Sequence, residues 1–515
     1  MNPVNPNRSP GCDPAFRGTR KDNEWFHASA ATSKLDQDLC QDIDILGMHT
    51  MSSIRFREDN YKIALVLAVA DPRSSMRRVG EPAIPHDRPN YQPGGFHNMR
   101  LFDILALLIG LSAVFSWLND RFLKLPNAIG LMLVALVFSL LLQLPLPFAP
   151  GLGMQVAHMM ESIDLTEAFL HGMLGFLLFA GALHVDLSEL ARQKWAVITL
   201  ASASVLGATL LIGIGSYLLF LALGIPVPFL YCLVFGALIS PTDPVAVLGI
   251  LKSAGAPKAL EMKITGESLF NDGVAVVLFM ALLTLAAGET TLAFGETLFL
   301  LIKEILGGLL FGFVLGWIAL QMIRHTENYQ VEIMVTLALA MSGYAIAAHA
   351  HVSAPIAIVI AGLIIGNHGR ATAVTEATRH RLDDFWELVD EVLNAVLFVL
   401  IGLEVLVIEV TGDLLLAGVL AIPLVLIARL VSVGLPIHLM RRSRSFEPGV
   451  VPILTWGGLR GGISVALVLS LPKGPVADIL LTVTYIVVVF SVLVQGLTLG
   501  PLVRAVAART QRESV

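Results

Sequence analysis

Charge is scarce in this chain. Only 14% of its 515 residues are Asp, Glu, Lys or Arg, against about 25% in a typical soluble domain. That shortage argues against a water-soluble enzyme, and equally against a nucleic-acid-binding module, which needs a basic face. Cysteine is also rare. Cys12, Cys40 and Cys232 offer neither a disulfide framework nor zinc-ligand spacing. Cys232 lies in an apolar run and reads as a small packing residue. There is no His-Glu-x-x-His metal motif and no signal-peptide pattern. No cofactor is expected. The net charge of −6 says little, because the placement of charge matters more than its sum.

What the chain has is apolar length. Hydrophobic residues make up 55% of it, with a mean hydropathy of +0.75. Its apolar runs are long enough to span a bilayer repeatedly, which predicts an all-α polytopic membrane protein. From Met99 onward thirteen segments qualify, near 101–118, 126–143, 167–184, 195–221, 227–251, 264–287, 296–322, 329–349, 353–367, 386–408, 413–440, 450–471 and 476–503.

The loops test this reading. Arg121 and Lys124 follow the first segment, Arg192 and Lys194 the third, and Lys252, Lys258 and Lys263 the fifth. Arg324 follows the seventh, Arg370, Arg379 and Arg381 the ninth, and Arg441, Arg442 and Arg444 the eleventh. Arg504, Arg509 and Arg512 close the chain, while the intervening loops hold only Lys473. Such alternation is what the positive-inside rule demands. It places the C-terminus in the cytoplasm and the start of the first segment outside.

Residues 1–98 are different. They are polar and irregular, and hold 12 of the 34 Lys and Arg residues. The apolar stretch from Ile63 to Ala70 is too short to span. The extension is expected to be disordered. A basic tail without a signal peptide would have to cross the membrane, so Met99 is the expected start of the working protein. Residues 99–515 then form the transmembrane domain.

Thirteen segments divide as six, one and six, so the fifth and twelfth correspond, with opposite orientations. Both are interrupted. The fifth holds Ser240-Pro241-Thr242-Asp243-Pro244, and the twelfth holds Gly457-Gly458-Leu459-Arg460-Gly461-Gly462. Glycines and prolines also serve simple kinks and close packing. Two matched interruptions, each carrying a charge, instead point to a transporter's midplane site, where broken helices expose unpaired amides and carbonyls.

The sixth segment contains Gly266-Glu267-Ser268-Leu269-Phe270-Asn271-Asp272-Gly273. Glu267 and Asn271 are four apart, as are Ser268 and Asp272, so each pair shares a helix face. An ionisable side chain inside a bilayer is costly and usually lines an ion or proton path. Hard cations prefer oxygen ligands, which Asp272, Asn271 and Ser268 supply, with Asp243 and Thr242 facing them from the fifth segment. A desolvated carboxylate holds a proton or a cation, and their competition is a complete exchange mechanism if the site alternates between the two sides. Glu267 reads instead as half of a structural ion pair, with Arg429 or Arg460 as partner, because a buried guanidinium needs an anion. Glu391 and Asn394 read as helix-capping or packing residues near the start of the tenth segment. Lys303, His349, His351 and Glu404 read as interfacial. Asp186 and Glu189 read as a solvated loop beside Arg192 and Lys194.

These motifs together resemble the signature segments of NhaP/NHE-type sodium–proton antiporters, over nearly all of residues 99–515. The resemblance implies that Asp272 alternately binds cation and proton, surrounded by Asp243, Thr242, Ser268 and Asn271. It implies an ion pair between Glu267 and Arg429, and Arg460 as stabiliser of the second broken helix. It implies an inverted-repeat core, a homodimer in the cell membrane and, from Asn-Asp rather than two adjacent aspartates, electroneutral exchange of one Na⁺ for one H⁺. One departure stands out. Many relatives carry a Glu after Phe in the third span, whereas this chain reads Leu178-Phe179-Ala180-Gly181, so no side-chain ligand comes from that position.

Other readings differ in observable ways. K⁺/H⁺ or broad alkali-cation exchange uses the same side chains, because cavity geometry decides Na⁺ against K⁺ and Li⁺. A channel passes current without proton counter-flow. An intramembrane hydrolase would use Ser342, in Met341-Ser342-Gly343, with His349 and His351, but Ala340 stands where Gly-x-Ser-Gly would begin.

Overall fold

A computed structural model of the chain describes residues 101–144, 156, 172–243, 247–251, 258–288, 294–326, 328–369, 376–408, 411–442, 446 and 449–513. The extension 1–98 and the alternative start Met99 lie outside the described residues. So do Pro244, the first part of the third segment, and the loop cations Lys252, Arg370 and Arg444.

Every regular element among the described residues is helical. In chain order they are α1 (Leu101–Leu118), α2 (Asn127–Gln143), α3 (Leu174–Leu183), α4 (Leu187–Thr199), α5 (Val205–Leu223) and α6 (Phe229–Ile239). There follow α7 (Lys258–Ala286), α8 (Phe294–Arg324), α9 (Tyr329–His349), α10 (Ala354–Ile364) and α11 (Glu376–Leu403). The chain closes with α12 (Gly412–Met440), α13 (Val450–Trp456), α14 (Gly462–Leu469), α15 (Pro475–Phe490) and α16 (Gly496–Glu513). Wider π-turns at Leu200–Ser204 and Ser491–Gln495 join α4 to α5 and α15 to α16.

Seven helices among the described residues are long and apolar enough to cross a bilayer, against the thirteen segments read from hydropathy. The remaining segments fall outside that set in different ways. α6, α13 and α14 stop at the proline and glycine interruptions. α2, α3 and α10 are only 17, 10 and 11 residues long. α11 is 28 residues long, but its first half carries Arg381, Asp383, Asp384, Glu387, Asp390 and Glu391.

The broken helices sit inside the bundle. α6 packs on α5 and α7, and α12 lies along both α5 and α15. α14 touches α6, α7, α11 and α15. α10 runs between α3 and α8 and also meets α7. Trp386 pins α11 to α3 and α9, with its ring 4.7 Å from that of Phe179 and its Nε1 donating to Thr336 Oγ1 at 3.0 Å. Large apolar side chains face outward instead, among them Phe299, Leu310, Phe313 and Trp317 on α8. In water such a surface would be costly, but against lipid tails it is not.

Several sequence expectations change here. Asp186 is no loop residue but the N-cap of α4, accepting from Ser188 N at 2.7 Å and Ser188 Oγ at 2.6 Å. It satisfies amides that a helix start leaves unpaired, so α4 begins well before position 195. Lys263 belongs to α7, not a loop, and is buried with Nζ over the Phe446 ring at 5.2 Å. Glu404 is buried at the end of α11. Glu391 and Asn394 lie several turns inside α11, because that helix starts ten residues before the predicted segment.

Candidate ion-binding site between two broken helices

Breaking a helix inside a membrane frees backbone groups that no water can satisfy. α6 ends at Ile239 because Pro241 lacks an N–H and cannot continue the ladder. α13 ends at Trp456, where the glycine run begins. The two interruptions meet and pair, with Asp243 N donating to Leu459 O at 2.8 Å. Arg460 Nη1 donates to Ser240 O at 2.5 Å and to Pro241 O at 2.8 Å. The second break therefore supplies a guanidinium to the carbonyl end of the first, where the helix dipole is negative.

Arg429 does the reciprocal task. From α12 its Nε donates to Leu454 O, in the last turn of α13, at 3.4 Å. Its Nη1 lies 2.6 Å from Glu267 Oε1 and donates to Ser204 Oγ at 3.3 Å. Both π-turns contribute a hydroxyl here, since Ser491 Oγ accepts from Arg460 N at 2.8 Å. The packing leaves no room for side chains at two glycines. A Cβ on Gly458 would meet Arg429 Nε at 2.7 Å, and one on Gly461 would press into Asp243 Oδ2.

α7 holds the break of α6 in place. Thr242 Oγ1 and Ser268 Oγ are 2.9 Å apart, and Asn271 Nδ2 donates to Thr242 Oγ1 at 2.9 Å. Asp272, one residue further on, turns away from this network. It is 2% exposed, and its Oδ1 accepts no hydrogen bond among the described residues. It lines a cavity of about 60 Å³, with Thr242, Asp243, Asn394 and Ser464 as the other polar residues. That volume is enough for an ion with a few waters.

Of the five residues expected to bind, Asp272, Asp243 and Thr242 thus share one chamber. Ser268 and Asn271 do not line it and bond to Thr242 instead. Glu267 and Arg429 are paired outside the chamber, and Arg460 bridges the two breaks. Ala180 is buried in α3 and its carbonyl faces His184 Nδ1 at 2.8 Å. The α3 wall of the chamber is entirely apolar.

Sequence reasoning missed Asp390. It lines a larger cavity of about 580 Å³ with Asn127, Glu391 and Asn394, and Asn394 borders both cavities. The i, i+4 spacing of Asp390 and Asn394 was the available signal. Ser342, by contrast, lies exposed on α9, two turns from His349, whose Nδ1 is 2.8 Å from Ala345 O.

Residues 107–505 match the family described as "Sodium/hydrogen exchanger, transmembrane". The chain is 51% identical over 414 residues to the Na⁺/H⁺ antiporter NhaP of Pseudomonas aeruginosa, covering 79% of this chain and 97% of that protein. It is 35% identical to the Na⁺/H⁺ antiporter NhaH of Halobacillus dabanensis, over 80% of this chain and 98% of the relative. The fold matches the sodium proton antiporter MjNhaP1 of Methanocaldococcus jannaschii with a TM-score of 0.61 at 20% identity, over 79% of this chain and 98% of that one. By the matched profile, the level of identity and the near-complete coverage of its relatives, this chain belongs to the sodium/hydrogen exchanger family.

Proposed function

We propose that this antiporter exchanges Na⁺ for H⁺ by letting the two compete for Asp272, across a bacterial cell membrane. One observation carries the reading: a buried carboxylate oxygen with no hydrogen-bond partner among the described residues faces a chamber large enough for an ion. A lone buried carboxylate is strongly disfavoured. Adding either a proton or a monovalent cation relieves that cost, and adding one removes the need for the other. Asp243 and Thr242 complete the oxygen set. Ser268 and Asn271 act at one remove, by fixing the Thr242 hydroxyl. Arg460 and Arg429 hold the crossed breaks together so that the chamber keeps its shape.

The larger cavity is the approach route. Its lining includes Pro126 and Asn127, just after the Arg121 and Lys124 loop that the positive-inside rule assigns to the cytoplasm. On this orientation the C-terminus is cytoplasmic, Na⁺ enters from the cell interior, and the inward proton gradient drives it out. The exchange is electroneutral, one cation per proton, and the working unit is a homodimer; both follow from the resemblance of the Asn271-Asp272 motif and its flanking segments.

The test is proton release in inside-out vesicles, followed with a ΔpH-sensitive dye on adding Na⁺, Li⁺ or K⁺. Wild type is expected to respond to Na⁺ and Asp272→Asn to none of the three. A response retained in Asp272→Asn refutes the assignment, and a response to K⁺ alone moves the protein to K⁺/H⁺ exchange. Current without proton movement would make it a channel.

A further inference from the structure

The chamber beside Asp272 is enclosed from several sides, and one of them is chemically blank. α3 contributes Leu174, Leu177, Leu178 and Gly181 and no polar atom from a side chain. The lining also holds two polar residues that none of the sequence motifs included, Asn394 on α11 and Ser464 on α14.

Asn394 is 7% exposed. Its Nδ2 donates to Asp390 O at 2.8 Å and to Asp390 Oδ1 at 3.0 Å. Both partners are acceptors, so the amide nitrogen must face them, and the orientation of the amide is fixed by chemistry. The Oδ1 atom is left on the other branch, and Asn394 lines the chamber. Ser464 is 1% exposed, in the first turn of α14, and its Oγ is buried without a partner among the described residues. A buried hydroxyl left unpaired is unfavourable, and a cation or its bound water in the chamber would remove that cost.

We propose that Asn394 and Ser464 are cation-specificity residues of the chamber, supplying neutral oxygens to the bound ion, and that Asp390 is the positioning residue that aims the Asn394 amide oxygen inward. The inference rests on the exchange reading centred on Asp272 and deepens it. Its physical content is a trade of ligand type. With Ala180 in α3, the chamber draws its negative charge from Asp243 and Asp272 and completes the coordination with dipoles. The number and field strength of such dipolar ligands set which alkali cation is preferred. Asn394 also borders the larger cavity, so its oxygen stands where an ion passes from the approach route into the chamber.

The test uses the full chain purified into proteoliposomes, with initial exchange rates measured against Na⁺, Li⁺ and K⁺ concentration at one fixed pH. Asn394→Leu removes the oxygen while keeping the branched shape of the side chain. It is expected to raise KM for Na⁺ about tenfold, the loss of one modest ligand, with the maximal rate largely kept and the Na⁺:Li⁺:K⁺ ranking changed. Ser464→Ala should raise KM about threefold. Asp390→Ala should reproduce the ranking of Asn394→Leu, while Asp390→Asn, which keeps an oxygen for the amide to donate to, should restore the wild-type ranking. If Asn394→Leu does not accumulate in the membrane, Asn394→Ala and Ser464→Ala carry the same reading. Unchanged KM and ranking, or rates that fall equally for all three cations, would show a structural role and overturn the proposal. Persisting exchange in Asp272→Asn would instead refute the exchange reading itself, so the two failures are distinct.

Discussion

Glu267 and Asp272 lie five residues apart on α7. Both are carboxylates and both are buried, at 1% and 2% exposure. Five residues rotate a helix by about 140°, so the two side chains leave α7 in different directions. Glu267 meets a guanidinium, with Arg429 at 2.6 Å. Asp272 meets a cavity. Desolvating a charge costs several kcal/mol per ion, and the molecule answers that cost in two ways. At Glu267 the answer is permanent and comes from the protein. At Asp272 it is left to whatever enters the chamber. A charge whose compensation is built in serves the architecture, and one whose compensation must arrive from solution is equipped to carry cargo.

The comparison breaks most sharply at Asp272. Asp272→Asn is nearly isosteric and needs no counter-charge. It should reduce cation-dependent proton movement by at least about 100-fold, while the thermal unfolding midpoint in detergent stays equal to wild type or rises. A loss of activity accompanied by unfolding would instead place Asp272 with Glu267 as a structural group.

Glu267→Ala should do the reverse. It leaves the Arg429 side chain buried with only Ser204 Oγ and Leu454 O as partners among the described residues, and breaking a buried pair typically costs about 3–5 kcal/mol. Expression and thermal stability should therefore fall, while whatever protein survives keeps its cation ranking. The double change Glu267→Leu with Arg429→Met removes both charges and should recover much of the stability, since apolar replacement of a buried pair is often neutral. Equal stability of Glu267→Ala and wild type would count against the pair as a stabilising element.

Gly461→Ala tests the wall that the two breaks share. The new methyl would press on the Asp243 carboxylate, and overpacking of this kind costs about 1–3 kcal/mol. Weaker exchange and a lower melting temperature are expected, with the stability loss relieved when Asp243→Ala is added. An additive double mutant would show that the two residues do not touch in the working protein.

Much of the site is legible before folding because lipid makes exceptions visible. Prolines around Asp243, glycines around Arg460 and carboxylates at 267 and 272 all violate what an apolar span prefers. What the sequence hides is direction. Nothing in the order of residues says that Arg460 reaches backbone carbonyls of the other break, or that Ser268 and Asn271 bond to Thr242 and turn away from the chamber. Those outcomes depend on how two interruptions cross. Asp390 escapes, and Asn394 reads only as a capping or packing residue, for another reason. The charged first half of α11 hides where the helix begins, so a residue several turns inside it reads as one near a segment start.

Asp186 extends the comparison to water, and gives the smallest effect. It is exposed, and its carboxylate is compensated by the Ser188 hydroxyl and the amides of Ser188 and Glu189. The Ser188 hydroxyl, then its amide, hold the carboxyl below the usual range for Asp. A lowered folded value means that the unfolded chain binds a proton more readily. The stabilisation is therefore present above the unfolded value of about 3.9 and is lost as pH falls through the lowered folded one. Asp186→Ala should cost about 1 kcal/mol near neutral pH, a usual N-cap loss, and the difference from wild type should vanish in acid. Thermal unfolding of both proteins across pH 2.5–7 would measure it. A pH-independent difference would mean that Asp186 acts through shape alone. A cost as large as that of Glu267→Ala would undo the contrast between a carboxylate that water can rescue and one that only the protein, or its cargo, can.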